Sequence, residues 1–182
     1  MRAPTDAHGV AHDPAVSHTA LVDLAERWLI RQGCGIVLRD PFHTPYVPEH
    51  PDALGWRLAS DVSILVECKA SRADFLADRI KPFRANPDQG IGQWRFYLTP
   101  DGVVQVQDMP PRWGLLWATK HGVRIVHGQP PGNTGWGAPP FVANIRAERR
   151  LLLAALRRLT LRGHLPEVYT PIPAGSAAEN PC

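Results

Sequence analysis

The residues of this sequence best suited to chemistry are Asp52, which follows Pro51, and the later triplet Glu67-Cys68-Lys69. Val62-Ser63-Ile64-Leu65-Val66 is mostly β-branched and apolar, which predicts a buried strand leading into the triplet. Side chains alternate faces along a strand, so Glu67 and Lys69 share one face and Cys68 takes the other. An acid and an amine side by side at the end of a core strand are costly to bury unless something uses them. A divalent ion with a water molecule would. Hard cations such as Mg²⁺ take one or two carboxylates plus waters and a substrate phosphate. The ion polarises the phosphate and lowers the pKa of its water, and a lysine can meet charge developing on the phosphoryl oxygens or hold the nucleophile. The competing reading is a surface hairpin with an ordinary Glu/Lys pair.

Geometry selects the second carboxylate. Ala53-Leu54-Gly55-Trp56-Arg57-Leu58 reads as a strand and Ala59-Ser60-Asp61 as a turn. A hairpin centred near Ser60 places Asp52 across from Cys68, within a residue or so of Glu67 and Lys69. Directly opposed residues lie only ~4.5–5.5 Å apart, close enough to share one ion. A slip of one residue changes the face Asp52 occupies, and the site needs the register that puts it on the Glu67 face. Asp61 has the parity of Glu67 but sits roughly 20 Å away along the strand, so it reads as a turn residue.

Asp52 with Glu67-x-Lys69 resembles the PD-(D/E)XK nuclease superfamily. The fuller string, Pro51-Asp52-Ala53-Leu54-Gly55-Trp56 and then Val66-Glu67-Cys68-Lys69-Ala70-Ser71-Arg72-Ala73-Asp74-Phe75, is similar to small nuclease-like proteins of phages and prophages, over about Ala20 to Val126. The resemblance implies a restriction-endonuclease-like α/β core, a mixed central β-sheet flanked by helices. It implies that Asp52 and Glu67 bind Mg²⁺ or Mn²⁺, that the Cys68 carbonyl adds a ligand, and that Lys69 orients the attacking water. Many members place a glutamate on the first helix near the metal, which makes Glu26 a supporting candidate. Glu26 also reads as part of a solvated helix face beside Asp23 and Arg27. Gln93 is a second supporting candidate, because some members carry a polar residue before that strand. It reads equally as an ordinary strand-opening residue.

Positive charge beside a carboxylate pair is what a phosphate backbone needs. Lys69, Arg72, Arg79, Lys81 and Arg84 crowd one short interval, offset by Asp74 and Asp78. Asp74 reads as support for a helix start, and Asp78 as solvated or paired with a nearby base. A second basic strip lies on the last helix, where Arg146, Arg150 and Arg157 fall on one side, either to meet nucleic acid or as a solvated face. His8, His12 and His18 lack cysteine partners and make a poor metal set. Gly90-Ile91-Gly92 precedes a strand rather than joining strand to helix, so it is no dinucleotide fingerprint.

These residues need a frame. The chain has 182 residues and a formal charge of +3, which predicts one domain and argues for a local contact strip rather than a broad basic surface. Residues 1–16 and 166–182 read as flexible tails, leaving 17–165 as the nuclease-like domain. A helix is predicted from about His18 to Gln32, with Ser17 as N-cap and Leu21, Leu24, Ala25, Trp28 and Leu29 as its stripe. A strand follows at Ile36-Val37-Leu38, then a proline-rich loop from Pro41 to Pro51 and the hairpin. The Ser71/Asp74 pair predicts a helix ending near Lys81-Pro82. Strands at 94–98, 114–118 and 123–126 precede a basic helix at 142–161.

Cys34, Cys68 and Cys182 make neither a disulfide framework nor a zinc site, and Cys68 reads as a small core residue rather than a nucleophile. With no signal peptide or spanning segment in view, a cytoplasmic protein without a membrane partner is expected. The expected function is Mg²⁺-dependent hydrolysis of DNA, by an endonuclease acting in phage DNA processing or in recombination and repair. It would work alone, as a homodimer or with a targeting partner protein. The alternatives are a non-catalytic nucleic-acid-binding or interaction module on the same fold, and an RNA-directed phosphodiesterase.

Overall fold

Local caps and apolar periodicity set the elements of the computed structural model, which describes residues 16–172. Ser17 accepts a hydrogen bond from Ala20 N at 3.2 Å and starts α1 (His18–Arg31). Leu21, Val22, Ala25, Trp28 and Leu29 form its buried stripe. Gly33, at φ 85°, supplies the left-handed turn into β1 (Cys34–Arg39). β2 (Ala53–Arg57) and β3 (Val62–Cys68) make the expected hairpin. The chain then crosses over through α2 (Arg72–Asp78) and α3 (Pro82–Ala85) to β4 (Trp94–Pro100). β5 (Gly114–Thr119) and β6 (Gly122–His127) form a second hairpin, and α4 (Ile145–Leu161) follows.

The strands make one sheet in the order β1-β2-β3-β4-β5-β6. β1 to β3 run antiparallel, β3, β4 and β5 run parallel, and β6 returns antiparallel. The architecture is therefore α/β, with a mixed six-stranded sheet flanked by helices. Strand alternation sends Ile64, Val66, Cys68, Phe96 and Leu98 to one face, where they pack with Trp28 and Leu29 of α1. Leu54, Leu65, Tyr97 and Leu115 point to the other face, against Phe75 of α2 and Ala147 and Leu151 of α4. Fully burying each such aliphatic or aromatic side chain stabilises by about 1.5–3 kcal/mol.

One buried carboxylate fastens α4 to the sheet. Glu148 Oε1 accepts from Ser63 Oγ and Gly92 N, both at 2.8 Å, and Oε2 accepts from Trp56 Nε1 at 3.1 Å. Gly92 has φ 80°, and a Cβ there would lie 2.5 Å from that of Leu65, so glycine alone fits.

Three boundaries differ from the expectations by more than two residues. α2 ends at Asp78 instead of running to Lys81, because the chain tightens into turns that aim Asp78 inward, with Lys81 N bonding Asp78 O at 3.1 Å. α4 begins at Ile145 instead of 142, where the Asn144 side chain accepts from Ala147 N at 3.0 Å. A 3₁₀ turn, Leu165–Tyr169, carries ordered chain from the last residue of the expected domain into the stretch read as a tail from 166. The rest of the C-terminal tail from 173, the N-terminal residues 1–15, His8, His12 and Cys182 lie outside the described residues. Among the described residues, no helix is long and apolar enough to cross a membrane.

Candidate active site

The β2–β3 register builds the site. Ala53 pairs with Val66 and Arg57 with Val62, so the next pair outward is Asp52 opposite Glu67. The pairing differs from the expected one by a single residue. The turn takes all of Leu58–Asp61, with Asp61 at φ 50°, which shifts Asp52 from Cys68 to Glu67. This register puts the two carboxylates on one face. That face is the one turned away from α1, shared with Leu65 and Tyr97.

The contacts are specific. Lys69 Nζ lies 2.9 Å from Glu67 Oε2, 3.6 Å from Asp52 Oδ2 and 3.3 Å from Asp78 Oδ1. Asp52 Oδ2 also accepts from Cys68 N at 2.7 Å, and Oδ1 lies 3.4 Å from His18 Nε2. Glu67 Oε1 lies 3.2 Å from Arg84 Nη2. Asp78 Oδ2 accepts from Arg84 Nε and from the Tyr97 hydroxyl, both at 2.7 Å, while Oδ1 meets Lys81 Nζ at 2.6 Å. Arg84 Nη1 donates to Glu49 Oε1 at 2.7 Å, and Glu49 Oε2 accepts from Ile91 N at 2.8 Å. Glu67 is 2 % exposed, whereas the Asp52 side chain is 17 % exposed and forms the open rim.

Burial and charge perturb these groups in different directions. Burial raises the Asp52 carboxyl, the facing Glu67 raises it further, and together they outweigh Lys69 and the Cys68 N–H to bring it to about 6. Burial works to lower Lys69, but Glu67, Asp52 and Asp78 hold it protonated well above the usual lysine range. Burial would raise Asp78, yet its bond to Arg84 and the charges of Arg84 and Lys69 keep it well below the usual carboxylate range. Burial raises the Tyr97 hydroxyl, so it stays a donor to Asp78. Lys69 is thus a fixed ammonium, Asp52 is brought toward neutral pH, and burial also raises the Glu49 carboxyl against the opposing charge of Arg84.

The other candidates fall in several places. Glu26 lies on α1, on the opposite side of the sheet from Glu67, and pairs with Arg39 at 2.7 Å. Gln93 precedes Trp94, which pairs with Ile64, so it lies at the far end of β3, where its Oε1 accepts from Ser63 N at 3.1 Å. Neither is brought to Asp52 and Glu67. Arg84 was expected on a nucleic-acid surface but is buried among three carboxylates, because it neutralises them inside the fold. Lys81 pairs with Asp78, and Arg72 makes a two-pronged bond to Asp108 at 2.6 and 2.7 Å. Arg79 is exposed and lines a cavity of about 170 Å³ with Arg84, Tyr97, Pro110 and Trp113. Arg146, Arg150 and Arg157 are exposed on α4. Cys68 is buried on the α1 face, and burial raises its thiol well above the usual range.

Sequence reasoning missed Glu49, His18 as a partner of Asp52, Tyr97, and the inward turn of Asp78. Glu49 sits in a proline-rich loop with no periodic signal, and Asp78 carries the same letter as a solvated helix residue. Among the described residues, no group of three or more His, Cys, Asp or Glu side chains converges as a ready-made metal cage.

No model of a known protein family matches the chain, and no curated protein matches it. Its fold is similar to the solved structure of a protein of unknown function from Silicibacter pomeroyi, with a TM-score of 0.54 and 20% identity, covering 84% of this chain and 94% of that one.

Proposed function

We propose that this protein is a divalent-metal-dependent nuclease of the PD-(D/E)XK type that hydrolyses DNA phosphodiester bonds. The observation that carries the reading is the face-to-face pair Asp52 and Glu67 with one ammonium, Lys69, at 2.9 and 3.6 Å from them. The order of helix, three-stranded meander, crossover helices and parallel strand agrees with the restriction-endonuclease-like core that the resemblance implies.

The residues fit a hard cation. The donors are all oxygen, and Asp52 is driven to retain a proton by burial and by Glu67, which is the strain an added positive charge relieves. Asp52, Glu67 and the Cys68 carbonyl would hold Mg²⁺ or Mn²⁺. When bound, such an ion supplies phosphate polarisation and a lowered pKa for its water.

The chain supplies the rest. Asp52 reaches the rim and meets the solvent side. Lys69, locked as an ammonium, aligns the water or meets charge developing on the phosphoryl oxygens. Asp78 and Arg84 fix Lys69 and Glu67, and Tyr97 fixes Asp78, so the constellation is preorganised by packing. Arg79, exposed beside Arg84 and Tyr97, is the candidate for backbone contact at the edge of the cluster, whereas Arg72 is held by Asp108.

A rival reading, a non-catalytic nucleic-acid-binding module, draws on Glu67, whose two oxygens already face Lys69 and Arg84. One experiment separates them. Labelled linear, circular, single-stranded and branched DNAs, and RNA, are incubated with the protein in Mg²⁺, Mn²⁺ or EDTA, alongside Lys69→Ala and Asp52→Asn. The nuclease reading expects metal-dependent cutting, at least about a hundredfold lower in either variant. Binding without cutting in any metal, and without metal affinity by calorimetry, leaves the rival. Cutting confined to RNA moves the substrate class.

A further inference from the structure

α4 is half-seated. Its buried residues are Ala147, Glu148 and Leu151, all in its first half. Beyond Leu151 no residue of the helix is fully buried, yet Leu153 is 56 % and Leu156 45 % exposed. Beside Leu153 and Ala154 runs a groove of about 290 Å³, closed by Tyr46 from the proline-rich loop and bounded by Arg150 and Arg157. The loop is tied to the helix, because Arg150 Nη1 donates to Tyr46 O at 3.1 Å and the Arg158 guanidinium stacks on Phe42 with its carbon 4.3 Å from the ring centre. The groove is therefore held open by structure on both sides.

Its charge is one-sided. Arg146, Arg150 and Arg157 follow one another along the same side of α4 as Leu153, and among the described residues none has an acidic partner. The helix's own acid, Glu148, is consumed inside the core. An apolar trough with uncompensated guanidiniums at its ends is complementary to a segment that is apolar at its centre and acidic at its rim.

Other occupants fit less well. A nucleic acid would pair with the arginines but set phosphates against Leu153, Leu156 and Tyr46, which gain nothing from them. A second copy packed two-fold on this helix would oppose arginine to arginine. Residues 1–15 and 173–182 of the chain contain no Leu, Ile, Phe, Tyr or Trp to fill the trough.

We propose that the groove between α4 and the Tyr46 loop is a docking site for an acidic amphipathic helix of another protein, which inserts a large apolar side chain over Leu153 between Arg150 and Arg157. This goes beyond the nuclease reading and does not depend on it. Recognition of this kind lays the apolar stripe of a helix into a groove and sets orientation by charges at its edges.

The test uses the full chain and a short fluorescent helical peptide with leucines at i, i+3, i+4 and i+7 and glutamates elsewhere. A lysine-for-glutamate peptide, a leucine-to-serine peptide and a labelled DNA duplex are run beside it. Fluorescence anisotropy should show binding of the acidic peptide alone among the three peptides. Leu153→Glu and the pair Arg150→Glu with Arg157→Glu should each weaken it by about tenfold or more. Leu153 and Arg157 are exposed and do not carry the tie to Tyr46 O that Arg150 does, so Leu153→Glu, Arg157→Glu alone and the milder Leu153→Gln should keep the parent's thermal transition and still weaken binding, which separates loss of charge from loss of that tie. Absence of acidic-peptide binding, or binding indifferent to these variants, overturns the proposal. So does duplex binding that the arginine reversals abolish while Leu153→Gln leaves it intact and the peptide does not compete. A concentration-dependent dimer that Leu153→Glu dissolves would also overturn it, in favour of a second copy.

Discussion

Replacing Asp52 by asparagine should stabilise the metal-free protein at alkaline pH. The Asp52 carboxyl has a folded pKa of about 6 against an ordinary 3.8. A raised carboxyl binds its proton more tightly in the folded chain. It therefore adds stability below about pH 4 that is lost as pH rises through about 6, after which the full cost persists. The shift corresponds to roughly 3 kcal/mol at most. The side chain is 17 % exposed, and solvent screening brings the expected gain on neutralising it to about 1–2 kcal/mol. Asparagine keeps an oxygen for the Cys68 N–H, so that hydrogen bond is not forfeited. For a chain of this size the gain is a rise in Tm of about 2–8 °C. The assay is thermal unfolding by circular dichroism in EDTA from about pH 4 to about pH 8. The two proteins should melt together at the acid end and separate as pH rises, the variant higher. With Mg²⁺ added at the alkaline end, the parent should gain stability, about 2.7 kcal/mol at a hundredfold excess over Kd, while the variant gains little. A variant that melts lower than the parent at alkaline pH, or a gap that does not change with pH, would refute both the strained-carboxylate account and the use made of it.

The remaining expectations follow from the same contacts. Asp78→Ala strips a shared partner from Lys69, Lys81, Arg84 and Tyr97 and should cost about 3–5 kcal/mol in urea unfolding, whereas Asp78→Asn, which keeps an acceptor for Tyr97, should cost clearly less. Glu148→Ala orphans the Ser63 hydroxyl, the Gly92 N–H and the Trp56 indole, and should cost about 3 kcal/mol in urea unfolding while leaving unchanged the Mg²⁺ affinity proposed for Asp52 and Glu67, which calorimetry would check. Gly92→Ala combines an unfavourable φ with a clash at Leu65 and should cost about 2 kcal/mol or more, read by the unfolding midpoint. Cys34, pushed up to about 12 by burial, and Cys68 should react with a thiol reagent only when the chain unfolds, so their labelling rate should track denaturant.

Much of the frame could be read directly from the chain, because α1 repeats its apolar residues at the helical period and β3 is a mostly β-branched apolar run. Glu67 and Lys69 share a face by strand alternation alone. The placing of Asp52 was legible to within a residue; the four-residue turn at Leu58–Asp61 decided the rest, and turn length is set by backbone geometry rather than by side-chain pattern. Asp78 and Arg84 show what periodicity cannot reach. Each is a charged residue in a polar stretch; they pair with each other and Asp78 with the nearby Lys81, but the partners that carry them into the core, Tyr97 for Asp78 and Glu49 and Glu67 for Arg84, are distant in sequence. Gln93 and Glu26 show the converse. Their residue types suit a site, but alternation across the sheet and the length of β3 carry them elsewhere.

The ion network joining the strands to the crossover also has a sign. Glu49, Asp52, Glu67 and Asp78 face Lys69, Lys81 and Arg84, four acids against three bases. With every acid ionised the cluster is an anion, and left alone it repels another polyanion. Uptake of one proton by Asp52, whose carboxyl is brought to about 6, reduces that excess with no movement of the backbone, and burial raises the Glu49 carboxyl in the same direction. The inner ion pairs stay locked throughout, since Asp78 and Lys69 keep their charges across that range. The rim of this rigid base therefore loses negative charge as pH falls, and if the site takes a nucleic acid as proposed, its affinity in EDTA should rise over the same range.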